Sequence, residues 1–366
     1  MSAEYGLKYA NNEVCYPATL VVGDCIKALN SGKYDADNIV FAITQTGGQC
    51  RATNYIALMK KALVAAGYPK VPVISLSIMN TINEQPGFQP EVKKAAKDAV
   101  YAVYFGDALA KVYYASAVRE KVKGEAKRLR DEYLKRAVEL VANRQSKKLV
   151  DLIKEAAGRF ESIIEHRRVP RIGVVGEVFI KYNSYGQQFV VDWLVNHGIE
   201  PVIPPLSEFF TQYFPNAKYN SKVNLDEKLS LKSKFLQLFG EKMLNHIGKK
   251  IDKAASVFSY YEPLENINKA AKKAENIVNL AAQFGEGWLI PAEFASFAEQ
   301  GIRAAVSLQP FGCIANHIVA KGIEKRVKDL YPDLNLLYLD FDGGVSEVNV
   351  QNRLHFIARQ VQKMDL

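Results

Sequence analysis

Apolar residues follow two different spacings in the first part of this 366-residue chain. The segments 18–32 and 54–67 carry apolar residues at helical spacing and end in glycine, so they predict two amphipathic helices. The β-branched apolar runs at 39–44 and 71–77 predict two strands. Strands that alternate with helices in this way are typical of a parallel sheet.

The same alternation returns later, interrupted by long helical patterns. Residues 89–166 read as almost wholly helical, and a second helical stretch is predicted at about 226–282. Further strands are predicted at 171–176, 201–206, 304–308 and 334–341, and further helices at 187–198, 291–301, from 316 onward and at 346–360. The pattern predicts an α/β fold of two doubly wound, Rossmann- or flavodoxin-like parallel-sheet domains with helical insertions.

The pattern also predicts where the domains end. We expect a first α/β domain at 1–115, a basic helical connector at 116–168 and a second α/β domain at 169–366. The helical stretch at about 226–282 is then an insertion in the second domain.

Positive charge is concentrated in one helical part of the chain. The net charge is +9, and residues 111–171 hold 17 Lys and Arg against 9 Asp and Glu. Such a segment could meet nucleic acid, an acidic partner or a phosphate-bearing ligand, but a solvated helix face is the simpler interpretation. Aromatic residues are not interleaved with these charges, so we do not expect nucleic-acid binding.

Composition and the N-terminus indicate the class of protein. Apolar residues make up 48% of the chain, as in a folded globular protein. Charges interrupt every apolar run before it could span a membrane, and the N-terminus lacks the basic and apolar regions of a secretory signal. We therefore expect a cytoplasmic protein without a membrane partner.

Three of the four cysteines share one local setting. Cys15, Cys50 and Cys313 each lie just before a predicted helix, and the last two follow predicted strands. Ligands of open α/β sheets collect at the carboxyl ends of the strands, where helix N–H groups favour negative charge. We therefore expect thiolates with a lowered pKa at these positions. Cys25 lies inside a predicted helix and is expected to pack in the core.

Thiolates that converge on one crevice indicate a metal centre. Iron–sulfur clusters are held by cysteine thiolates, and with three ligands a cubane keeps one iron open. Four cysteines are too few for a disulfide scaffold, and no C-x-x-C pair indicates a zinc ribbon. Spacing alone leaves open a second interpretation, in which these cysteines are unrelated and partly buried.

The segments around these cysteines resemble a known family. C-Y-P at Cys15, G-G-x-C-R at Cys50 and Q-P-F-G-C at Cys313 occur together, with further matching segments between Gly6 and Arg353. In this combination the chain resembles the 2-hydroxyacyl-CoA dehydratase superfamily, and within it the dehydratase-related group associated with ATP-dependent activators. Superfamily members carry a further strand–helix unit before the segment at Gly6, so we expect the first domain here to be incomplete or a short variant.

The resemblance implies a cofactor and its ligands. In such proteins each subunit binds a [4Fe-4S] cubane through three cysteines between α/β domains. Carried over by position, the ligands are Cys15, Cys50 and Cys313, and some relatives join two cubanes into a double-cubane cluster instead.

The resemblance also implies partners and a reaction. An ATP-dependent activator (activase) with its own iron–sulfur cluster passes a low-potential electron to the cubane, which hands it to a small substrate such as an acyl-CoA. We expect a homodimer or a heterodimer with a related subunit. A non-catalytic electron-transfer or scaffold subunit of a larger reductase is the alternative.

Residues next to the cysteines are candidates for contacting the cofactor. Polar groups in these loops can donate hydrogen bonds to sulfur or to substrate, and glycines let the backbone approach. The candidates for cofactor binding are Gly48, Arg51, Asn54, Gln309 and Gly312, with Asn11, Asn12, Phe311 and Asn316 as further neighbours.

Glu177, Glu286 and His317 are the candidate catalytic residues. Either glutamate could act as an acid or base, or bind the open iron, and a surface or capping carboxylate is an equal alternative. His317 could equally cap a helix or be a buried, paired histidine. Asp340 and Asp342 are expected in turn and capping positions.

A third hypothesis is a nucleotide binder in which residues 46–48 hold phosphate. This loop lacks the Lys-Ser/Thr of a P-loop and the spacing of a dinucleotide-binding motif, which disfavours the hypothesis.

Overall fold

The computed structural model describes residues 2–11, 13–44, 50–76, 92–225 and 230–364. Within these ranges the chain is a mixed α/β protein that contains two parallel sheets, of two and four strands. The predicted α/β class and the parallel sheets are confirmed. No helix of the described ranges is long and apolar enough to cross a membrane.

The first sheet pairs the two strands predicted near the N-terminus. The elements here are α1 (Ser2–Tyr9), α2 (Tyr16–Asn30), β1 (Phe41–Thr44), a 3₁₀ turn (Arg51–Asn54), α3 (Tyr55–Ala65) and β2 (Val73–Leu76). β1 and β2 run parallel in register from Phe41 opposite Val73 to Thr44 opposite Leu76. Cys25 is 7% exposed in the apolar core of α2 and α3, which confirms its packing role.

Three long helices follow, as the helical pattern predicted. They are α4 (Val92–Ala117), α5 (Glu125–Ala142) and α6 (Leu149–Ser162). Their apolar faces pack together around fully buried Tyr133 and Phe160.

The remaining elements include the four strands of the larger sheet. They are β3 (Arg171–Gly176), α7 (Val178–Tyr182), α8 (Val190–Asn196), β4 (Glu200–Val202), α9 (Leu206–Thr211), α10 (Tyr213–Val223), α11 (Leu231–Ala255), α12 (Ile267–Glu275), α13 (Leu289–Glu299), β5 (Ala304–Pro310), a π-helical turn (Ala315–Ala320), α14 (Glu324–Leu330), β6 (Asn335–Phe341) and α15 (Glu347–Met364). All four strands are parallel, in the order β4-β3-β5-β6.

The strand order creates a switch point between β3 and β5. The chain first adds β4 on one side of β3 and later adds β5 and β6 on the other side. In open α/β sheets, ligands bind outside the carboxyl ends of the strands at such a point. Here those ends lead into Glu177 after β3 and Cys313 after β5.

Helices cover both faces of this sheet. One face packs against α7, α8 and α15 and also receives Tyr16 and Leu20 from α2. The other face packs against α13, the π-helical turn and α14. Because α2 also packs in the first core, it brings the N-terminal segment against the larger sheet.

The two helical stretches meet in one core. α11 packs against both α4 and α6, with its Ile247 and Ile251 buried among their apolar residues. The long helices that interrupt the α/β pattern at two places in the sequence therefore pack into one helical unit.

Several boundaries differ from those predicted. The stretch predicted at 226–282 contains α11 and α12 separated by an irregular segment, and residues 226–229 lie outside the described ranges. The helix expected from Asn316 begins as a π-helical turn at Ala315. α9 and α10 were not predicted, because their aromatic and polar residues follow neither helical nor strand spacing clearly.

Candidate functional site

Two of the candidate ligands occupy the N-cap position, immediately before a helical segment. Cys15 precedes α2 in an extended conformation (φ −62°, ψ 144°), and Pro17 occupies its first turn. Cys50 precedes the 3₁₀ turn in nearly the same conformation (φ −88°, ψ 144°). Cys313 lies in the turn between β5 and the π-helical turn. These positions agree with the setting that the sequence predicted.

The backbones that carry Cys15 and Cys313 are in contact. Tyr16 N donates a hydrogen bond to the carbonyl oxygen of Phe311, at 3.0 Å. Gly312 has a positive φ of 74°, and a Cβ built there would lie 3.2 Å from the Cα of Cys15. A glycine is therefore needed at 312 both for its conformation and for the close approach of the two segments.

Each thiol has hydrogen-bond donors beside it. The hydroxyl of buried Tyr55 lies 3.2 Å from the Cys15 sulfur, and the amide Nδ2 of Asn316 donates to the Cys313 sulfur at 3.1 Å. Backbone N–H groups of Ala18, Ala52 and Asn316 also act to lower the pKa of Cys15, Cys50 and Cys313, respectively. Such donors stabilise the charged thiolate.

The expectation of lowered thiol pKa values is wrong. Burial raises the pKa of Cys15, raises that of Cys50 to about 11 and raises that of Cys313 strongly. The N–H groups and the nearby Arg51 act in the opposite direction at Cys15, but the loss of hydration is larger. Without a bound cation these thiols are therefore neutral at physiological pH.

Glu177 and Glu286 lie together between the cysteine-bearing segments. Glu177 is the N-cap of α7, where its carboxylate accepts a hydrogen bond from Ile180 N at 2.8 Å. Glu286 is 3% exposed and accepts a hydrogen bond from Val178 N at 2.7 Å. The capping interpretation of Glu177 is confirmed, whereas Glu286 is not a surface carboxylate.

The charges of the two glutamates affect the pKa values of the thiols. The charge of Glu177 raises the pKa of Cys15, Cys50 and Cys313, and the charge of Glu286 raises that of the last two. Glu177 therefore interacts electrostatically with all three thiols, and the segments of Cys15 and Cys313 are also in direct backbone contact. Burial and the charge of Glu286 raise the pKa of Glu177 to about 8, and burial also raises that of Glu286.

Buried amides beside Cys313 have unused acceptors. Gln309 and Asn316 are fully buried, and Gln309 Nε2 donates to the carbonyl oxygen of Asn316 at 3.2 Å. Gln309 Oε1 and Asn316 Oδ1 have no hydrogen-bond partner among the described residues. Unpaired buried polar atoms are costly, which is typical of a site that binds something further.

His317 lies in the π-helical turn that follows Cys313. Its Nε2 lies 3.5 Å from Asp340 Oδ1, and its ring centroid lies 6.0 Å from that of Phe311, whose side chain is exposed. It neither caps a helix nor is fully buried. Asp340 belongs to β6 rather than to a turn, whereas Asp342 does stabilise its turn by accepting from Gly344 N at 2.7 Å.

The other residues predicted to lie near the cysteines differ in their exposure and in their contacts. Arg51 and Asn54 are exposed, and Arg51 is close enough to lower the pKa of Cys15. Asn11 accepts a hydrogen bond from Glu13 N at 2.9 Å and so stabilises its own turn. Gly48 and Asn12 lie outside the described residues, as does the loop of the nucleotide-binding hypothesis.

Three functional candidates were missed by sequence reasoning. Tyr55 contacts the Cys15 sulfur, and Lys181 pairs with Glu293 at 3.0 Å next to Glu286, with both side chains at most 5% exposed. Tyr55 follows Cys50 by five residues and could have been found from that spacing. Lys181 and Glu293 lie 112 residues apart and have no sequence signal that connects them.

The donor set fits a group that is bound by thiolates. It combines three soft sulfur atoms, N–H and O–H donors aimed at them and a glycine that keeps two ligand segments close. In the described ranges no three His, Cys, Asp or Glu side chains are spaced to bind a single metal ion. A cubane binds each thiolate through a different iron, so its ligands need not reach one ion.

Comparison with family models finds no family that matches this chain, and comparison with curated proteins finds no match.

Proposed function

We propose that this chain is an iron–sulfur protein of the 2-hydroxyacyl-CoA dehydratase type. It accepts low-potential electrons from an ATP-dependent activator that has its own iron–sulfur cluster and passes them to a small substrate, with an acyl-CoA as the first candidate. The observation that carries the proposal is the backbone contact between the segments of Cys15 and Cys313 beside the switch point of the larger sheet, together with the electrostatic interaction of Cys15, Cys50 and Cys313 with buried Glu177.

Cys15, Cys50 and Cys313 would hold a [4Fe-4S] cubane, or one half of a double-cubane cluster. When bound, the cluster supplies one-electron transfer at low potential. Asn316 Nδ2 and the Tyr55 hydroxyl would donate hydrogen bonds to the ligand sulfurs, which fixes the thiolate orientation. Gly312 keeps the segments of Cys15 and Cys313 in contact.

Glu177 and Glu286 supply the acid in this proposal. Because the pKa of Glu177 is raised to about 8, its carboxyl group keeps a proton at neutral pH and can donate it to a leaving hydroxyl. Glu286 is held beside it by Val178 N. This buried pair favours an enzyme over the alternative of a non-catalytic electron-transfer or scaffold subunit.

The proposal includes the layout and setting of the chain. It assigns two doubly wound domains at 1–115 and 169–366, the helical connector between them and the cluster in the crevice at their boundary. Helices on both faces of the larger sheet support the second domain. A homodimer or a heterodimer with a related subunit, located in the cytoplasm, completes the proposal and rests on the resemblance.

Iron and acid-labile sulfide per chain, measured after anaerobic purification, test the cofactor. We expect about four of each in the wild type, or about eight of each for a double cubane, and a loss in Cys313→Ala. Cys25→Ala is the matched control, because Cys25 packs in the core of α2 and α3 and should leave the iron content unchanged.

Two results would contradict parts of the proposal. No iron after anaerobic reconstitution of the folded wild type would overturn the cluster. Iron that is retained in the wild type but gives no turnover with activator, ATP and a range of 2-hydroxyacyl-CoA thioesters would favour the electron-transfer or scaffold subunit.

A further inference from the structure

A cavity separate from the candidate cluster ligands lies at the outer edge of the larger sheet. It has a volume of about 140 Å³ and is enclosed by α4, the connection from β4 to α9, the segment before α12 and helix α13. Asp107 and Lys111 line it from α4, Glu208 from α9 and Glu293 from α13. None of the candidate cluster ligands lines it.

Carboxylates outnumber cations around this cavity. The six lining carboxylates are Asp107, Glu200, Glu208, Glu262, Glu265 and Glu293. The five cationic side chains that line the cavity or face these carboxylates are Lys111, Arg119, Arg171, Lys181 and Lys273. Outside the lining, Glu299 pairs with Lys273 and Asp252 faces Lys111, so the surroundings of the cavity are rich in carboxyl groups.

Glu293 carries an unused acceptor at this cavity. Its side chain is 4% exposed, and Oε1 accepts a hydrogen bond from Lys181 at 3.0 Å. Oε2 is buried and has no hydrogen-bond partner in the described part of the chain. A buried carboxylate oxygen without a donor is unfavourable, so this atom is available to a ligand that carries N–H donors.

Because they are buried, two carboxyl groups at the cavity bind protons near neutral pH when no ligand is present. The pKa of Glu293 is raised to about 7 and that of Glu208 to about 8, mainly because neither carboxylate is well hydrated. A bound cation would supply the positive charge that these protons supply otherwise.

The walls of the cavity are aromatic and apolar. The rings of Tyr114, Tyr182, Tyr260 and Phe297 line it, with prolines of the β4–α9 connection between them. Aromatic faces attract cations, and an apolar wall accommodates an alkyl chain. Such a wall combined with carboxylates suits an ammonium group on a short apolar body.

We propose that this cavity binds a small organic cation, a primary alkylammonium, whose N–H groups donate to Glu293 Oε2. The carboxyl-rich lining, the unpaired oxygen and the aromatic wall each favour this class of ligand. A carboxylate or phosphate ligand would meet six carboxyl groups, with only Lys111 and Arg171 among the lining cations. This proposed site does not require an iron–sulfur cluster bound at Cys15, Cys50 and Cys313.

Binding of n-butylammonium to the full chain tests this inference. We expect isothermal titration to show saturable binding of n-butylammonium, and neither butan-1-ol nor butyrate to bind comparably, since they lack the charge or reverse it. Glu293→Gln keeps an acceptor for Lys181 but loses the charge, and should weaken binding about tenfold. Glu275→Gln, on an exposed position of α12, is the control and should bind as the wild type does.

Circular dichroism of each variant establishes that it is folded, and Glu208→Gln provides a second variant if Glu293→Gln is not. Equal binding of butan-1-ol would show an apolar cavity without charge recognition, and tighter binding of butyrate would reverse the assignment. Absence of n-butylammonium binding to the folded wild type at millimolar concentrations would also overturn it.

Discussion

Buried polar atoms determine the chemistry of this protein at the scale of single residues. The thiols of Cys15, Cys50 and Cys313 lie beside N–H donors, yet burial raises their pKa values. Glu177 and Glu293 are likewise carboxyl groups with raised pKa values. Both effects have the same cause, because a group that loses water loses more stabilisation in its charged form than in its neutral form.

Glu293 should make stability depend on pH. Its pKa is raised from 4.5 to about 7, so between these pH values the folded state binds more protons than the unfolded state. Stability is then lost as the pH rises through this window, and we expect a contribution of about 1–3 kcal/mol. The free energy of unfolding from urea titrations between pH 5 and 8 should fall less in Glu293→Gln than in the wild type. A parallel pH dependence in the two proteins would contradict the raised pKa.

Gly312 should be intolerant of a side chain. Alanine at 312 would have to adopt a φ of 74° and would place its Cβ 3.2 Å from Cys15 Cα, so we expect Gly312→Ala to lower the free energy of unfolding by about 1–3 kcal/mol. Gly322→Ala is the control, because a Cβ there meets nothing within 4 Å and should be neutral or stabilising. Equal denaturation midpoints for the two variants would contradict the interpretation that the turn at Gly312 requires a glycine.

At the scale of elements, a buried ion pair joins the turn that follows α4 to the larger sheet. Arg119 is 3% exposed, and its Nη1 donates to Glu200 Oε2 at 2.7 Å and to the carbonyl oxygen of Ala115. Glu200 begins β4, so the pair fixes the end of α4 against the edge strand. A buried pair of this kind orients elements even where its net contribution to stability is small.

Removing one partner of that pair should be strongly destabilising. Among the described residues, Arg119→Met leaves Glu200 with only the more distant Arg171, at 3.7 Å, so we expect a loss of about 3–5 kcal/mol of unfolding free energy. Arg128→Met is the matched control, because Arg128 is 73% exposed and pairs with Glu125 on the surface. A loss below about 1 kcal/mol in Arg119→Met would show that solvent reaches Glu200.

At the scale of the whole molecule, helices from distant parts of the chain form one core. α11 begins at Leu231, long after α4 ends at Ala117 and α6 ends at Ser162, yet it packs on both, and Ile251 is fully buried among them. Residues that share one core tend to open together, so the three helices should behave as one cooperative unit.

Hydrogen exchange can detect that unit. Ile251→Ala should cost about 2–5 kcal/mol and accelerate amide exchange in α4, α6 and α11 together, with less effect on β5 and β6. Phe239→Ala, on an exposed position of the same helix, should leave exchange in α4 and α6 unchanged. Acceleration confined to α11 in Ile251→Ala would contradict a single helical core.

Local patterns in the sequence were sufficient to predict many of the helices and strands and the positions of the cysteines relative to them. Strand composition identified β1, β2, β3, β5 and β6, because buried parallel strands are continuous apolar runs. Helical spacing identified α2, α3 and α4 to α6, and the residues before the helices marked Cys15 and Cys50 as helix starts. These are properties of neighbouring residues, which a linear reading can detect.

Only the tertiary structure decided which of these residues meet. The strand order β4-β3-β5-β6 places the switch point between β3 and β5 and so brings Glu177, Glu286 and Cys313 together. It also buries the thiols enough to raise their pKa values, and it pairs Lys181 with Glu293. Burial and through-space charge depend on residues distant in the chain, whereas periodicity and capping depend on adjacent ones, so the sequence determined the elements and the fold determined their chemistry.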